Sequence, residues 1–186
     1  MKLLLSCAAL VLLAAVPAGA SAATADQLAI SNPTLKGKLT LKVTSTALRS
    51  GAPIPGDFTS YGKNVSPPLS WSHGPYGTRS FALVLEDPDA PMASPFVHWV
   101  MWNIGGNALE AGKTPSGVVQ GKMGVGRTGY MGPRPPPGPV HHYHFEVFAL
   151  DQAPALTADA DAKVLEAAMA GHVLASGELV TTYQKN

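Results

Sequence analysis

The sequence predicts a mainly β protein, an antiparallel sandwich with one or two short helices. Its apolar residues fall in short runs that are separated by loops, and those loops hold many of the 19 glycines and 17 prolines. Short apolar runs separated by glycine- and proline-rich loops are typical of strand-rich proteins with long connections. Only one convincing helical pattern occurs, late in the chain. The elements therefore do not alternate as they would in a parallel βαβ fold.

The first 22 residues have the layout of a cleaved secretory signal peptide. Met1 and Lys2 form a short basic start, residues 3–16 are almost wholly apolar, and residues 17–23 are small with two A-x-A patterns. The apolar run is shorter than the ~20 residues that a membrane span requires. We therefore expect residues 23–186 to form one domain that is periplasmic or secreted, with no integral membrane segment after cleavage.

Charge and cysteine content exclude several classes of function. Cys7, the one cysteine, lies inside the expected signal peptide, so the exported chain could form no disulfide or thiolate metal site. Removing Lys2 leaves 13 − 1 = 12 basic residues against 12 acidic ones, without a basic run. Nucleic-acid binding requires a positive footprint, so we expect no nucleic-acid partner.

The expected strands follow in chain order. Residues 39–43 alternate between leucine or valine and polar residues, which predicts one half-buried strand. Residues 51–68 are loop-like. The apolar runs 80–86 and 97–104 predict central strands, and residues 178–183 predict the final one.

Residues 141–150 alternate strongly and predict a long strand. Successive side chains of a strand point to opposite faces of its sheet. One face would carry His141, Tyr143, Phe145 and Val147, and the other would carry His142, His144, Glu146 and Phe148. Trp99 and Trp102 are three residues apart in an earlier strand, so we expect one on each side of the sheet.

The late helix is indicated by a cap, an apolar stripe and a stop signal. Asp159 or Asp161 can cap its N-terminus, and Gly171 can end it. The expected stripe consists of Val164, Leu165, Ala168 and Met169.

Two acidic residues follow the first central strand in Asp87-Pro88-Asp89-Ala90-Pro91. The prolines stiffen this backbone, so both carboxylates would be held at the strand end. Aspartate and proline are also common turn formers, which leaves a purely structural role open. His98 lies within an apolar strand, where a hydrogen-bonded core histidine is the usual case.

The loop 129–138 is rich in glycine and proline and leads directly into the strand at His141. Glycine lets a ligand approach the main chain, where a free N–H can donate to an anion. A stiff loop or a polyproline recognition segment is the alternative interpretation.

Metal, nucleophile and nucleotide motifs are missing from the sequence. The four histidines between 98 and 144 lack an HExxH pattern, and at most His141 could converge with groups on neighbouring strands. No Gly-x-Ser-x-Gly elbow, GxGxxG or Walker motif occurs. We therefore expect no metal, no cofactor and no catalytic residues.

Several motifs together resemble the phosphatidylethanolamine-binding protein family, and its bacterial Raf-kinase-inhibitor-like branch in particular. In order along the chain, they are Asn64-Val65-Ser66-Pro67-Pro68, the Asp87 to Pro91 stretch, His98-Trp99, Gly129-Tyr130-Met131-Gly132-Pro133, His141-x-Tyr143-x-Phe145 and Gly171-His172-Val173-Leu174-Ala175. The resemblance covers roughly residues 30–183. It implies two antiparallel sheets with Greek-key connections and a small pocket for phosphate-like or carboxylate anions, including phospholipid head groups.

Carried over residue by residue, the resemblance implies a pocket built from Asp87, Asp89, His98, Gly132, Pro133, His141 and Tyr143. Aspartates repel an anion, so we expect charged His98 and His141 to donate to it. Asp87 and Asp89 would orient the histidines or accept from an ammonium group. The Gly132 N–H and the Tyr143 hydroxyl would be neutral donors, and His142 would point away.

The resulting expectation is an exported ligand-binding or regulatory protein that is not an enzyme. The family's eukaryotic members regulate kinases, a role that does not transfer to an exported chain because it does not meet cytosolic kinases. Two alternatives stay open, a protease inhibitor acting through a surface loop and a weak hydrolase using Asp and His as a general base. A homodimer is compatible with the resemblance, and the natural ligand and any protein partner are left unassigned.

Overall fold

The structure is a computed structural model that describes residues 22–186. The expected signal peptide, residues 1–22, lies outside this range except for Ala22. None of the helices in the described range is both long enough and apolar enough to cross a bilayer.

Nine strands in the described residues form two sheets, confirming the mainly β fold. The six-stranded sheet has the order β1-β9-β8-β4-β5-β7, and the three-stranded sheet has the order β2-β3-β6. The strands are β1 Leu39–Thr40, β2 Val43–Thr44, β3 Leu69–Trp71, β4 Ser80–Asp87, β5 Phe96–Ile104, β6 Ala108–Leu109, β7 Val119–Gln120, β8 His141–Leu150 and β9 Val173–Tyr183.

The large sheet contains the implied Greek key. Strands β4, β5 and β7 are consecutive antiparallel neighbours, and β8 then returns to lie antiparallel to β4 on its other side. This 4-1-2-3 arrangement defines the motif. The sheet is not wholly antiparallel, because the short β1 pairs with β9 in parallel.

The single strand expected at residues 39–43 is wrong. The chain instead crosses between sheets there, with β1 pairing to β9 and β2 pairing to β3. Leu41 lies at the crossing, where its N–H donates to the Ser176 carbonyl at 2.9 Å. Leu39 is 59% exposed as a result, although the alternation placed it in the core.

Strand β9 begins at Val173, five residues before the predicted start at 178. Gly177 within this strand resembles a breaker in the sequence. In the fold, a Cβ at this position would lie 2.0 Å from the Leu41 carbonyl oxygen. The glycine therefore allows the crossing segment to approach the strand closely, without ending the strand.

The large sheet is covered on both faces. Between the two sheets, Leu83, Leu85, Trp99, Tyr143 and Phe145 belong to one core. The second core lies on the opposite face, where Trp102 and Phe148 pack with helix α1 (Ala162–Met169) and the N-terminal turns. The two tryptophans thus lie on opposite sides, as their spacing predicted.

Helix α1 begins and ends as predicted, but its buried face is different. The Asp161 carboxylate caps it by accepting from the Val164 N–H at 3.0 Å, and Gly171 follows with φ +80°. Val164 itself is 46% exposed. The inward-facing buried residues are Ala162, Leu165 and Met169, because the helix is rotated relative to the stripe expected from the sequence.

Two buried glutamates hold the N-terminal turns against the large sheet. Glu86 Oε2 accepts from the Ala29 N–H, and Glu146 Oε2 accepts from the Ile30 N–H, each at 2.8 Å. Burial raises the pKa of Glu86 to about 7 and also raises the pKa of Glu146 well above its usual range. These bonds fix a segment that otherwise consists of short 3₁₀ turns.

We predict that Gly177→Ala lowers the free energy of unfolding by about 1–3 kcal/mol, because the new methyl group would overlap the Leu41 carbonyl. Gly56→Ala is the matched control, since no atom lies within 4 Å of a Cβ there. We expect the control to stay within ~0.5 kcal/mol of the parent protein. Urea unfolding of the three proteins provides the measurement, and equal effects of both substitutions would contradict the close approach.

Candidate functional site

The buried site is centred on a hydrogen bond between the ends of two neighbouring strands. Asp87 is the last residue of β4 and His141 is the first residue of β8. These strands are antiparallel neighbours, so the two residues lie at the same sheet end. His141 Nδ1 lies 2.8 Å from Asp87 Oδ2, and both side chains are buried. The carboxylate accepts a hydrogen bond from the Nδ1–H of His141, which leaves Nε2 of His141 available to a ligand.

The turn after β4 fixes the other oxygen of Asp87. The Asp89 N–H donates to Asp87 Oδ1 at 2.9 Å, a local bond typical of aspartate in turns. Both oxygens of Asp87 are therefore engaged, and the carboxylate is held in one orientation toward His141.

His98 reaches the site because β5 contains a β-bulge. Leu85 pairs with Trp99, whereas the next residue, Glu86, pairs with Val97, so His98 is the extra residue. Strict alternation would put His98 and Trp99 on opposite faces. The bulge lets His98 approach Tyr143, with ring centroids 5.3 Å apart, on the same side as Trp99.

Burial favours the neutral form of His98, contrary to the imidazolium expected from the sequence. Burial lowers its pKa to about 4, which outweighs the raising effects of the Met131 carbonyl and the Asp87 carboxylate. Asp87 Oδ2 is 4.0 Å from His98 Nε2, too far for a hydrogen bond. Since the Met131 carbonyl can only accept, the Nδ1 that lies 2.8 Å from it carries the proton. Nε2 then has a free lone pair.

Tyr143 supplies a buried hydroxyl without a close partner. Its side chain is fully buried, and its oxygen makes no hydrogen bond of normal length with the described residues. Burial raises the pKa of Tyr143, and the charge of Asp87 and a weak hydrogen bond toward its carboxylate raise it further, so the hydroxyl stays protonated. The ring lies near both His98 and His141.

The Gly132 N–H is not the free donor that the sequence suggested. It donates to Asn64 Oδ1 at 2.7 Å. Glycine is required here for space, because a Cβ would lie 2.2 Å from the Phe58 carbonyl oxygen. The buried Pro133 is held by the same neighbouring segment, since its carbonyl accepts from the Ser60 N–H at 3.0 Å. Gly132 and Pro133 therefore position the loop against residues 58–64.

Asn64 and Met131 are site-supporting residues that sequence reasoning left without a role. Asn64 has φ 55°, a left-handed conformation that asparagine tolerates, and this conformation accompanies its bond to Gly132. Met131 contributes only main-chain atoms: its carbonyl accepts from His98, and its N–H donates to the His98 carbonyl at 3.0 Å. Both residues belong to motifs that carry the family resemblance, and this was the sequence signal from which their supporting role could have been predicted.

Asp89 lies beside His142 rather than beside His98 or His141. Its Oδ2 accepts from the main-chain N–H of His142 at 2.7 Å and lies 2.8 Å from that ring's Nδ1. The Asp89 side chain is 39% exposed, and His142 points outward as predicted. Asp89 therefore lies at the outer edge of the site and does not orient its buried histidines.

The inner site thus consists of Asp87, His98, His141 and Tyr143. It offers one hydroxyl donor and two imidazole Nε2 atoms in a region of low solvent exposure. Two surface cavities, of about 720 and 870 Å³, are lined by other residues. Because the side chains of Asp87, His98 and His141 are only 4–5% exposed, a ligand that contacts them directly must be small.

We predict that Tyr143→Phe leaves the free energy of unfolding unchanged or raises it by up to ~1 kcal/mol, because the buried hydroxyl that is removed has no hydrogen-bond partner at normal length. Tyr130→Phe is the comparison, since the Tyr130 hydroxyl donates to the Phe58 carbonyl. We expect that change to cost about 1 kcal/mol. Chemical denaturation tests both, and an equal loss in the two variants would mean that Tyr143 is hydrogen-bonded in the folded protein.

Comparisons with known proteins place this arrangement in a family. Residues 44–184 match the family model described as phosphatidylethanolamine-binding protein. A UPF0098 protein of Pyrococcus horikoshii is 40% identical over 157 residues, which cover 80% of this chain and 78% of that protein.

Two solved structures share the fold. A phosphatidylethanolamine-binding protein homologue from Chlamydia trachomatis has a TM-score of 0.75 at 35% identity, over 79% of this chain and 99% of that one. YbcL of E. coli, described as a member of the mammalian family, has a TM-score of 0.75 at 31% identity, over 78% and 99%. The chain belongs to the phosphatidylethanolamine-binding protein family.

Proposed function

We propose that this protein binds a small phosphate-like or carboxylate anion at Asp87, His98, His141 and Tyr143, without turning it over. The observation that carries the proposal is the fully buried Tyr143 hydroxyl, which makes no hydrogen bond of normal length, has only a weak one toward Asp87 and belongs to a ring beside two histidines. A buried donor without a well-placed acceptor is costly, and an anion oxygen would satisfy it.

Proton uptake would make the site suitable for an anion. The Asp87 carboxylate repels a negative ligand, so a neutral site is a weak anion binder. A bound anion favours protonation of the nearby imidazoles, and a protonated His98 would donate from both nitrogens, to Met131 and to the ligand. Asp87 holds His141 by accepting from its Nδ1. The Nε2 of His141 would therefore donate to the ligand when the imidazole is charged.

A phospholipid head group fits the same chemistry. Its phosphate would occupy the inner site, and its ammonium group would lie toward the carboxylate of Asp89 at the outer edge. The family's name describes such binding in relatives, and the matching fold supports carrying it to this chain as a proposal. Free phosphate would use the inner site alone.

The proposed setting is the periplasm or the exterior, where the protein would act as a binding or regulatory module. The N-terminal pattern of residues 1–22 is the basis for export. The absence of turnover is proposed because the inner site, which consists of two imidazoles, a carboxylate and a phenol whose hydroxyl stays protonated, contains no serine, threonine, cysteine or lysine nucleophile.

We predict that the protein binds phosphate and phosphorylethanolamine saturably in calorimetric titrations and that His141→Asn weakens binding at least tenfold. His142→Asn is the matched control, because this exposed histidine also pairs with a carboxylate but points away. We expect the control to bind phosphate like the parent. Failure of the parent to bind any of phosphate, phosphorylethanolamine and acetate would overturn the proposed function, and release of free phosphate from phosphorylethanolamine would overturn the absence of turnover.

Anion affinity should rise as pH falls. His98, which faces Asp87, His141 and Tyr143, has a pKa of about 4 without ligand and is neutral at pH 7. A bound anion raises that pKa, so binding takes up a proton, and affinity increases from about pH 7 toward pH 5. Sulfate is the probe, since it stays a dianion throughout. The slope should be smaller in His98→Asn, and an equal slope would exclude His98 as the proton acceptor.

A further inference from the structure

A second cluster of possible ligands lies on the opposite face of the large sheet. His144 and Glu146 are two residues apart on β8 and therefore share a face. Glu178 on β9 pairs directly with Glu146 across the strands. One ligand atom from each of the three side chains lies within 4.8 Å of the others. The anion site does not use any of these residues.

Glu146 is the buried member of this cluster and has unused bonding capacity. The residue is fully buried, and its Oε2 accepts from the Ile30 N–H at 2.8 Å. Its Oε1 is buried without any hydrogen-bond partner among the described residues. A buried carboxyl oxygen with no hydrogen-bond partner is unusual in a folded protein and indicates a missing partner.

The missing partner is better supplied by a cation than by another side chain. In the described part of the chain, neither Glu86 nor Glu146 forms an ion pair with lysine or arginine. Glu86 and Glu166 both add negative potential at Glu146. A positive ion at Glu146 would offset this accumulation of acidic groups.

The other two members leave the cluster open to solvent on one side. The side chains of His144 and Glu178 are 13% and 35% exposed, and His144 Nδ1 lies 2.8 Å from Glu178 Oε2. An ion can therefore reach Glu146 from outside and complete its coordination with water. Ligand atoms around such an ion lie roughly 3–4 Å apart, so the three ligand atoms must move closer together when the ion binds. Glu178, the most exposed of the three residues, would make most of this movement.

We propose that His144, Glu146 and Glu178 form a binding site for a first-row divalent cation such as Zn²⁺. One imidazole nitrogen with two carboxylate oxygens is a ligand set for zinc and its neighbours, whereas Ca²⁺ and Mg²⁺ prefer oxygen alone. If Nδ1 is the coordinating nitrogen, the proton that it now donates to Glu178 is released to solvent. Glu146, whose pKa is raised by burial, likewise releases the proton that it carries when it binds the ion. This site departs from the sequence expectation of no metal and is independent of the anion site.

The test is calorimetric titration of the untagged, EDTA-treated protein with ZnCl₂ in phosphate-free buffer. We expect one Zn²⁺ per chain, and we expect His144→Asn and Glu178→Gln each to weaken binding at least tenfold. Both substituted side chains are at least partly exposed, so we expect the variants to fold. Circular dichroism would establish that they do. Zinc anomalous scattering in a crystal should place the ion against all three residues.

His172→Asn is the matched control. His172 Nδ1 pairs with Asp151 Oδ1 at 2.9 Å, much as His144 pairs with Glu178, but it is not part of the three-residue cluster. Its zinc affinity should equal that of the parent. No saturable zinc binding, or equal losses in His172→Asn and His144→Asn, would overturn the proposal. Mg²⁺ competing equally with Zn²⁺ would also overturn it, since the imidazole would then play no part.

Discussion

The double burial of strand β4 is the constraint on which the rest of the structure depends. All eight residues from Ser80 to Asp87 are buried, because the strand lies between β5 and β8 in the sheet and has a core on each face. The last two residues of the strand, Glu86 and Asp87, therefore place their carboxyl groups on opposite faces of the sheet. Asp87 is held by His141 in the inner site, whereas Glu86 holds the N-terminal turns on the other face. Both carboxylates must find partners, since buried polar groups without them are costly.

Two of the groups that would contact a ligand in the inner site are uncharged. His98 is kept uncharged by burial, and Tyr143 is kept protonated by burial and by Asp87. The negative charge of Asp87 is directed to His141 and to the turn at Asp89. Such a site would not attract anions strongly by charge alone. Under the proposed function, recognition would depend on the fit of donors to a small ligand and on protons that are taken up with it, which would favour compact ligands with hydrogen-bond acceptors.

Segments distant in sequence support this site by close main-chain approach. The loop at Gly132 lies against the Phe58 carbonyl, and Asn64 fixes it by accepting from the Gly132 N–H. The same loop supplies the Met131 carbonyl, which sets the tautomer of His98. A residue larger than glycine at position 132 would move the loop and the carbonyl together. The effect of the loop on His98 is therefore geometric and is exerted through the main-chain carbonyl of Met131.

Periodicity and turn residues alone determined the central strands, both sides of β8, the two-sided placement of Trp99 and Trp102, and the helix bounded by Asp161 and Gly171. These features follow from local rules, because alternation, caps and glycine stops act within a few residues. Tertiary structure decided the rest. The crossing at Leu41 divides one expected strand between two sheets, and the bulge at His98 reverses the side that alternation assigns to it. The partners of Gly132 and Asp89, the neutrality of His98 and the cluster around Glu146 also depend on contacts between distant segments. Sequence patterns do not encode them, since register, burial and close approach arise only when those segments pack together.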